Sequence, residues 1–376
     1  MDERSLRPLK ILITVEFYYA RGGGGIQEQA RQIAEGLAAR GHNVVVATSS
    51  VPDRPEQIDN VRIASFAVKG NLVRGIAGEG ERYQRFLLDS NAEIVMNFAA
   101  NVWTTDLAFD VLDRVSGKKV LSTPGVSKIG HPRYEAYYAK AYMNGLEKYD
   151  RIVYTSADYR DKLFGDQHGL GAKAVIIPNG AGQEFLSQPL GFREKFGIRT
   201  PYVILSVSNH FFAKGHDFII QAFKKMNRRD ATLLIVGERP FVHSWYSCWP
   251  RCKLVSMWDR RIQLLQALPR SWVVSAYQEA DLFLFGSRVE CAPLVMYESF
   301  ASRTPFITTN VGNVKDNRDV VKIVSTPDEM AAVAEELLTS DAKRAAISER
   351  AYQLWSEQYT WDRIVDKYEA LYQSLA

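Results

Sequence analysis

From end to end the chain alternates short apolar runs with amphipathic stretches, and this alternation limits the fold more than any other feature. KILITVE, NVVVATS, VRIASFAV, EIVMNFA, KKVLSTP, RIVYTS and AVIIP carry the first half. Helical spacing over residues 26–40, after Trp103 and over 134–146 falls between them. The second half restarts with YVILSVS, a helix over 218–226, ATLLIVG, KLVSM, a helix over 273–280, DLFLFGS, PFITTN and VVKIV. Runs such as LFLFGS lack polar alternation, as expected of strands covered on both faces of a parallel sheet. Strand and helix in turn imply right-handed crossovers and doubly wound sheets. At 376 residues the chain exceeds one ordinary core. The turn-forming Pro178-Asn179-Gly180 marks the boundary. The expected division is an α/β domain over 1–183, a second over 184–358, and a terminal helix over 359–376. That helix places Trp361, Ile364, Val365, Tyr368, Leu371 and Tyr372 on one face.

Composition excludes several classes. A hydrophobic content of 46% with 24% charged residues fits a soluble globular protein. The net charge of +4, without a Lys/Arg block, attracts anionic nucleotides or an acidic membrane surface but gives no nucleic-acid signature. The polar start MDERSLRPLK carries neither a secretory signal nor a spanning segment. Three cysteines argue against a disulfide framework and for a cytoplasmic setting, with peripheral contact at the inner membrane face left open. Cys248 and Cys252, with His243 nearby, lack a fourth ligand at finger-like spacing, so ordinary packing is expected and no metal.

The chemistry concentrates in residues 281–313. A buried strand ending at Ser287 leads to a loop with Glu290, a helix beginning near Leu294 and a second strand, PFITTN. Pro293 donates no backbone hydrogen bond, which suits a helix start. Ligands of parallel sheets collect at the carboxyl ends of strands, where helix N–H groups face outward. Glu290 and Glu298 can accept hydrogen bonds from two hydroxyl-rich groups while the N–H groups between them hold an anion, a layout for a nucleotide sugar. At the first strand–helix turn, Arg21-Gly22-Gly23-Gly24-Gly25 lets backbone approach a ligand closely. A dinucleotide-binding oxidoreductase is the rival reading of that turn. Counted from Gly22, however, Gln27 fills the last glycine position of the fingerprint, and NVVVATSS ends without the ribose-binding acid.

Glu290, seven residues, then Glu298 resembles the E-x7-E signature of the family-4 retaining glycosyltransferases of the GT-B fold, two Rossmann-like domains facing across a cleft. Lys214-Gly215 resembles the end of that family's R-x4-K-G pattern, and Pro178-Asn179-Gly180 its interdomain segment. The resemblance spans nearly the whole chain, with the specific motifs in the second half. It implies transfer of a hexose-type sugar from a nucleoside-diphosphate sugar, most readily a UDP-sugar, to an acceptor hydroxyl in polysaccharide, glycolipid or small-molecule glycoside synthesis. The anomeric configuration would be retained, without cofactor or metal. By this resemblance Lys214 meets the donor diphosphate, Glu290 the transferred sugar and Glu298 the ribose. The N–H groups near Leu294 and Val295, after Ala292 and Pro293, hold phosphate, with Gly23, Gly24 and Gly25 close to it. The first domain would take the acceptor, and 69–85 is a candidate loop for an acidic or lipid-linked one, a solvated variable loop being the alternative.

The chain departs from the family at three places. Asn209 stands where the family has arginine, which removes one cation, and His210, Arg270 or Arg288 are candidates to replace it. Cys291-Ala292-Pro293 replaces Gly-Phe-Gly. Pro124-Gly125 occupies the place of a first-domain histidine, and His131 reads as a helix start. These departures keep two alternatives in view: a non-catalytic nucleotide-sugar-binding homologue, and an epimerase or phosphorylase on the same architecture.

Overall fold

The computed structural model describes residues 7–19, 24–126, 128–226, 228–239 and 247–376. The chain divides into two compact units, one of Met1–Asn179 with Trp361–Ala376, the other of Gly180–Thr360.

The first unit contains β1 (Lys10–Thr14), β2 (Asn43–Ser49), β3 (Gln57–Ile58), β4 (Val61–Phe66), a hairpin of β5 (Val68–Asn71) and β6 (Gly75–Gly78), β7 (Ile94–Phe98), β8 (Lys118–Thr123), β9 (Arg151–Tyr154) and β10 (Ala174–Ile176). Its main sheet runs β10-β9-β8-β7-β1-β2-β4-β3, parallel except for the β3–β4 pair. β7 is buried at every position, which accounts for its apolar sequence, and its one polar residue, Asn97, is bonded to Thr14 and Tyr149. Residues 69–85 fold as the β5–β6 hairpin followed by the helix Gly80–Asp89, where the sequence suggested a loop. Gly70 and Gly78 supply positive φ at close backbone crossings of the hairpin.

The terminal helix Trp361–Leu375 packs on the helix Gly25–Ala39 of this unit. Its buried face holds Trp361, Ile364, Val365, Tyr368 and Tyr372. A Cβ on Gly36 would press into Val365, so the glycine permits the close approach of the two helices. The buried Glu369 binds His42 Nε2 at 2.9 Å and Arg40 at 2.8 Å. His42 Nδ1 accepts the Leu9 N–H, which leaves Nε2 to carry the proton donated to Glu369.

The second unit contains β11 (Tyr202–Val207), β12 (Ala231–Val236), β13 (Ile262–Leu265), β14 (Leu282–Phe285), β15 (Phe306–Thr309) and β16 (Val321–Val324). All its strand pairs are parallel, in the order β13-β12-β11-β14-β15-β16. One expected strand is displaced. KLVSM lies inside the helix Trp249–Trp258, and the strand is β13 instead. Pro250 in the first turn favours the helix start, and a short apolar run carries too little period to separate strand from helix. Among the described residues no helix is long and apolar enough to cross a membrane.

Candidate functional site

The order of the second sheet determines where its loops meet. Connections after β11 lead to one side, toward β12, while those after β14 lead to the other, toward β15. The carboxyl ends of the adjacent β11 and β14 therefore form the switch-point crevice at which open α/β sheets bind ligands. Lys214 follows β11 and Glu290 follows β14. Although 76 residues apart in sequence, Lys214 Nζ and Glu290 Oε1 are 2.6 Å apart. Ser287 Oγ donates to the same carboxylate oxygen at 2.9 Å.

Backbone crossings lock the loop registers. Gly215 has φ +64°, and a Cβ there would overlap the carbonyl oxygen of Gly286, so only glycine lets the Lys214 turn lie against the end of β14. Gly312, φ +53°, similarly runs under the carbonyl of Cys291, which accepts the Asn313 N–H at 2.8 Å. The glutamate loop is thus held by main chain on both sides.

Pro293 precedes the helix Leu294–Ala301 with extended ψ, leaving Leu294 and Val295 at the start of the first turn, where no intrahelical acceptor exists for their N–H groups. Met296, Tyr297, Phe300 and Ala301 are buried. At roughly 1.5–3 kcal/mol per large apolar side chain, this packing fixes the helix and its amino end. Glu298 is buried on the same helix. It accepts the Tyr277 hydroxyl at 2.8 Å and pairs with Arg270 at 2.7 Å. Burial, reinforced by the Glu298 carboxylate, pushes the Tyr277 hydroxyl well above its ordinary pKa and keeps it a donor. Arg270 also reaches Glu184 at 2.9 Å and lies over the Phe185 ring.

The candidates to replace the missing arginine have other partners. Asn209 Oδ1 accepts the Glu238 N–H at 3.0 Å and so ties two loops together. Arg288 binds the Phe212 carbonyl and Asp217, both at 2.6 Å. Burial opposes ionisation of Asp217, but the hydrogen bond and charge of Arg288 prevail and hold its carboxyl below the usual range. Asp217 is not the cap the sequence suggested, because Gly215 occupies that position. His210 is fully buried. His131 is exposed, and its Nδ1 accepts the Arg133 N–H at a helix start. Gly24 precedes the first helix in an extended conformation and Gly25 begins it, whereas Gly23 and His243 lie outside the described residues.

Sequence reasoning missed an acidic cluster in the first unit. The buried Asp106 accepts the Tyr137 hydroxyl at 2.6 Å and the Leu72 N–H at 2.8 Å. Burial, opposed by those bonds, pushes its carboxyl up to about 6. Burial and the charge of Asp106 raise Glu16 as well, against the attraction of Arg74 and Lys128. No spacing in the sequence marks Asp106, since its partners come from other elements. A pKa raised by folding means that the fold disfavours the ionised form. The stabilising contribution is complete below the ordinary value of 3.8 and disappears as pH rises through about 6. Relative to Asp106→Asn, the wild type should lose about 2 kcal/mol over that interval. Paired urea titrations across the interval measure this, and parallel stability curves would contradict it.

Comparison with known proteins agrees with the two-unit architecture. Residues 191–354 match the family model of glycosyl transferases group 1, and residues 23–185 match that of glycosyltransferase family 4. The chain is a glycosyltransferase of the GT-B fold. An uncharacterized glycosyltransferase of Methanocaldococcus jannaschii is 23% identical over 95% of this chain and 96% of its own length. N-acetyl-alpha-D-glucosaminyl L-malate synthase of Bacillus anthracis is 23% identical, covering 97% of both chains. Among solved structures, sucrose-phosphate synthase of Thermosynechococcus elongatus superposes with a TM-score of 0.80 at 16% identity, over 97% of this chain and 99% of that one. HepE of Anabaena, solved in complex with UDP and glucose, gives 0.79 at 15% identity over 98% of this chain and all of that one. At such identities the solved structures establish the fold of this glycosyltransferase, and its substrate must be argued from its own residues.

Proposed function

We propose that the protein is a retaining hexosyltransferase whose second unit binds a nucleoside-diphosphate sugar, a UDP-sugar in the first instance, for transfer to an acceptor hydroxyl. The observation that carries this reading is the meeting of Lys214 with Glu290 at the switch-point crevice. It places a cation beside a carboxylate where a diphosphate and its sugar would lie side by side. Lys214 neutralises the charge that builds on the departing nucleotide. Glu290 accepts hydroxyls of the transferred sugar through the lone pairs that Lys214 and Ser287 leave free. The N–H groups of Leu294 and Val295 receive phosphate oxygens, aided by the helix dipole. Glu298, oriented by Tyr277 and Arg270, takes the ribose hydroxyls, and Arg270, at the start of the helix Arg270–Gln278, reaches the nucleotide beside it. The UDP and UDP-glucose complexes of HepE support the choice of nucleotide. Retention needs no protein base here, the leaving phosphate accepting the acceptor's proton. The domains proposed for donor and acceptor are 184–358 and 1–183, with 359–376 completing the latter.

A thermal-shift screen of UDP-, GDP- and ADP-sugars tests the reading. One base should raise the melting temperature of the wild type, and Glu298→Ala should abolish the shift. The substitution itself leaves the buried Tyr277 hydroxyl unpaired, at a cost of about 1–3 kcal/mol. Glu298→Gln keeps an acceptor for that hydroxyl and separates folding from recognition, since it should restore most of the stability and little of the nucleotide shift. A wild type indifferent to all three donors would remove the basis of the assignment.

A further inference from the structure

Four groups that the sugar-transfer reading does not use converge beside the Lys214 turn. His210 follows β11, His216 begins the helix His216–Lys225, Cys248 immediately precedes the helix Trp249–Trp258, and Cys252 lies one turn into it. His210 and His216 are fully buried and both cysteines are 2% exposed. One ligating atom from each lies within 4.8 Å of all the others. Cys248 Sγ is 3.3 Å from His216 Nδ1 and 3.9 Å from His210 Nδ1. The two loops are fastened to each other by the antiparallel bridge of Phe211 with Ser247 and by the Cys248 N–H to the His210 carbonyl at 3.1 Å.

We infer that His210, His216, Cys248 and Cys252 form a closed, tetrahedral zinc site. Ligand bonds of about 2.3 Å to sulfur and 2.0–2.1 Å to nitrogen give tetrahedral edges of about 3.3–3.8 Å, which the 3.3 Å and 3.9 Å separations already approach, and no separation exceeds 4.8 Å. Ser208 Oγ lies 2.8 Å from His216 Nε2. Accepting that N–H, it fixes the tautomer whose Nδ1 lone pair points at the thiols, the usual outer support of a metal-bound imidazole. His210 Nε2, also buried, finds no protein partner among the described residues. Two thiolates balance the dication, so the assembled centre is neutral and tolerates burial where isolated charges would not. Four protein ligands leave no open position, which makes the site structural and favours zinc over harder ions. Binding releases the thiol protons to solvent and changes no oxidation state.

The ligand order gives the site a purpose. His210 and His216 bracket Lys214, so a metal holding both ends of the turn would restrain the lysine facing Glu290. That consequence rests on the donor reading above, whereas the metal site does not, and metal content tests it separately. The full chain, reduced, incubated with zinc and freed of excess by gel filtration, should retain about one zinc per chain by elemental analysis. Cys252→Ala and His210→Ala should each cut retention at least tenfold, while Cys291→Ala, which removes the remaining cysteine, should leave it unchanged. Cobalt in place of zinc should give the visible bands of a tetrahedral thiolate site, a signature that packing cysteines cannot produce. Retention of substoichiometric zinc by the reduced wild type would overturn the inference, whether its thiols remain titratable or close into a Cys248–Cys252 disulfide. So would undiminished retention in both ligand variants.

Discussion

Lys214→Ala should lower turnover of the preferred donor by about 10²–10³-fold, equivalent to about 2.7–4 kcal/mol of transition-state stabilisation. The magnitude follows from what the side chain faces. As the sugar–phosphate bond breaks, charge accumulates on the leaving nucleotide, and a fixed ammonium group at the switch-point crevice is worth more there than in the ground state. With arginine absent at position 209 and Arg288 engaged by Asp217, the proposed donor site would rest a larger share of that stabilisation on Lys214 than a site with two free cations would. Folding should scarcely change. Lys214 is about a third exposed, with 30% of its side-chain surface accessible, and Glu290 keeps its hydrogen bond from Ser287. A stability change within about 1 kcal/mol is therefore expected. Lys214→Arg preserves charge but not geometry and should fall between the two. Nucleotide release from the donor, followed with and without acceptor, measures the effect, and an alanine variant with wild-type kcat would exclude the lysine from the chemistry.

The largest effect on stability is expected from Gly215→Ala. An alanine there must adopt a left-handed conformation and also occupy the volume of the Gly286 carbonyl oxygen. Gly286 cannot retreat freely, because it directly follows the buried strand β14 and packs against the first turn of the helix His216–Lys225. The left-handed conformation costs about 1 kcal/mol and the overlap with main chain about 2 kcal/mol more. Gly197→Ala provides the comparison within the same unit. Its φ of +65° is nearly the same, but its Cβ would meet open space, so only the conformational part should remain. Two units need not unfold together, so the comparison belongs to the denaturant midpoint of the second unit, followed by its own tryptophans. Equal midpoints for the two variants would show that the crossing at Gly286 is not rigid.

Much of the fold was legible because buried parallel strands write themselves as uninterrupted apolar runs. The helix expected from about Leu294 begins there, and LFLFGS and PFITTN became β14 and β15. KLVSM misled for a related reason: five residues of mixed apolar character fit a strand or one turn and a half of helix, and the proline that favours the helix stands three residues upstream. The hairpin after Phe66 was hidden by its glycines, which look like loop in sequence and serve as crossings in space.

The candidate site divides along the same line. Residue type and short-range order were enough to single out Glu290 and Glu298, because a helix start after a buried strand is a local event with local signals, whereas Lys214 was singled out by its resemblance to a family pattern. The partners of those residues were not legible. Arg270 and Tyr277 on Glu298, Arg288 on Asp217, and the two histidines brought to Cys248 and Cys252 are pairs separated by 21 to 71 residues. The sequence by itself determined the period of the strands, the helix starts and the chemical kinds of side chain available at each loop. Strand order decided which loops became neighbours, and with them whether a lysine meets a glutamate and whether four scattered ligands share one centre. Periodicity is a property of adjacent residues, whereas the order of strands depends on how whole layers bury their faces, and only the folded chain settles that.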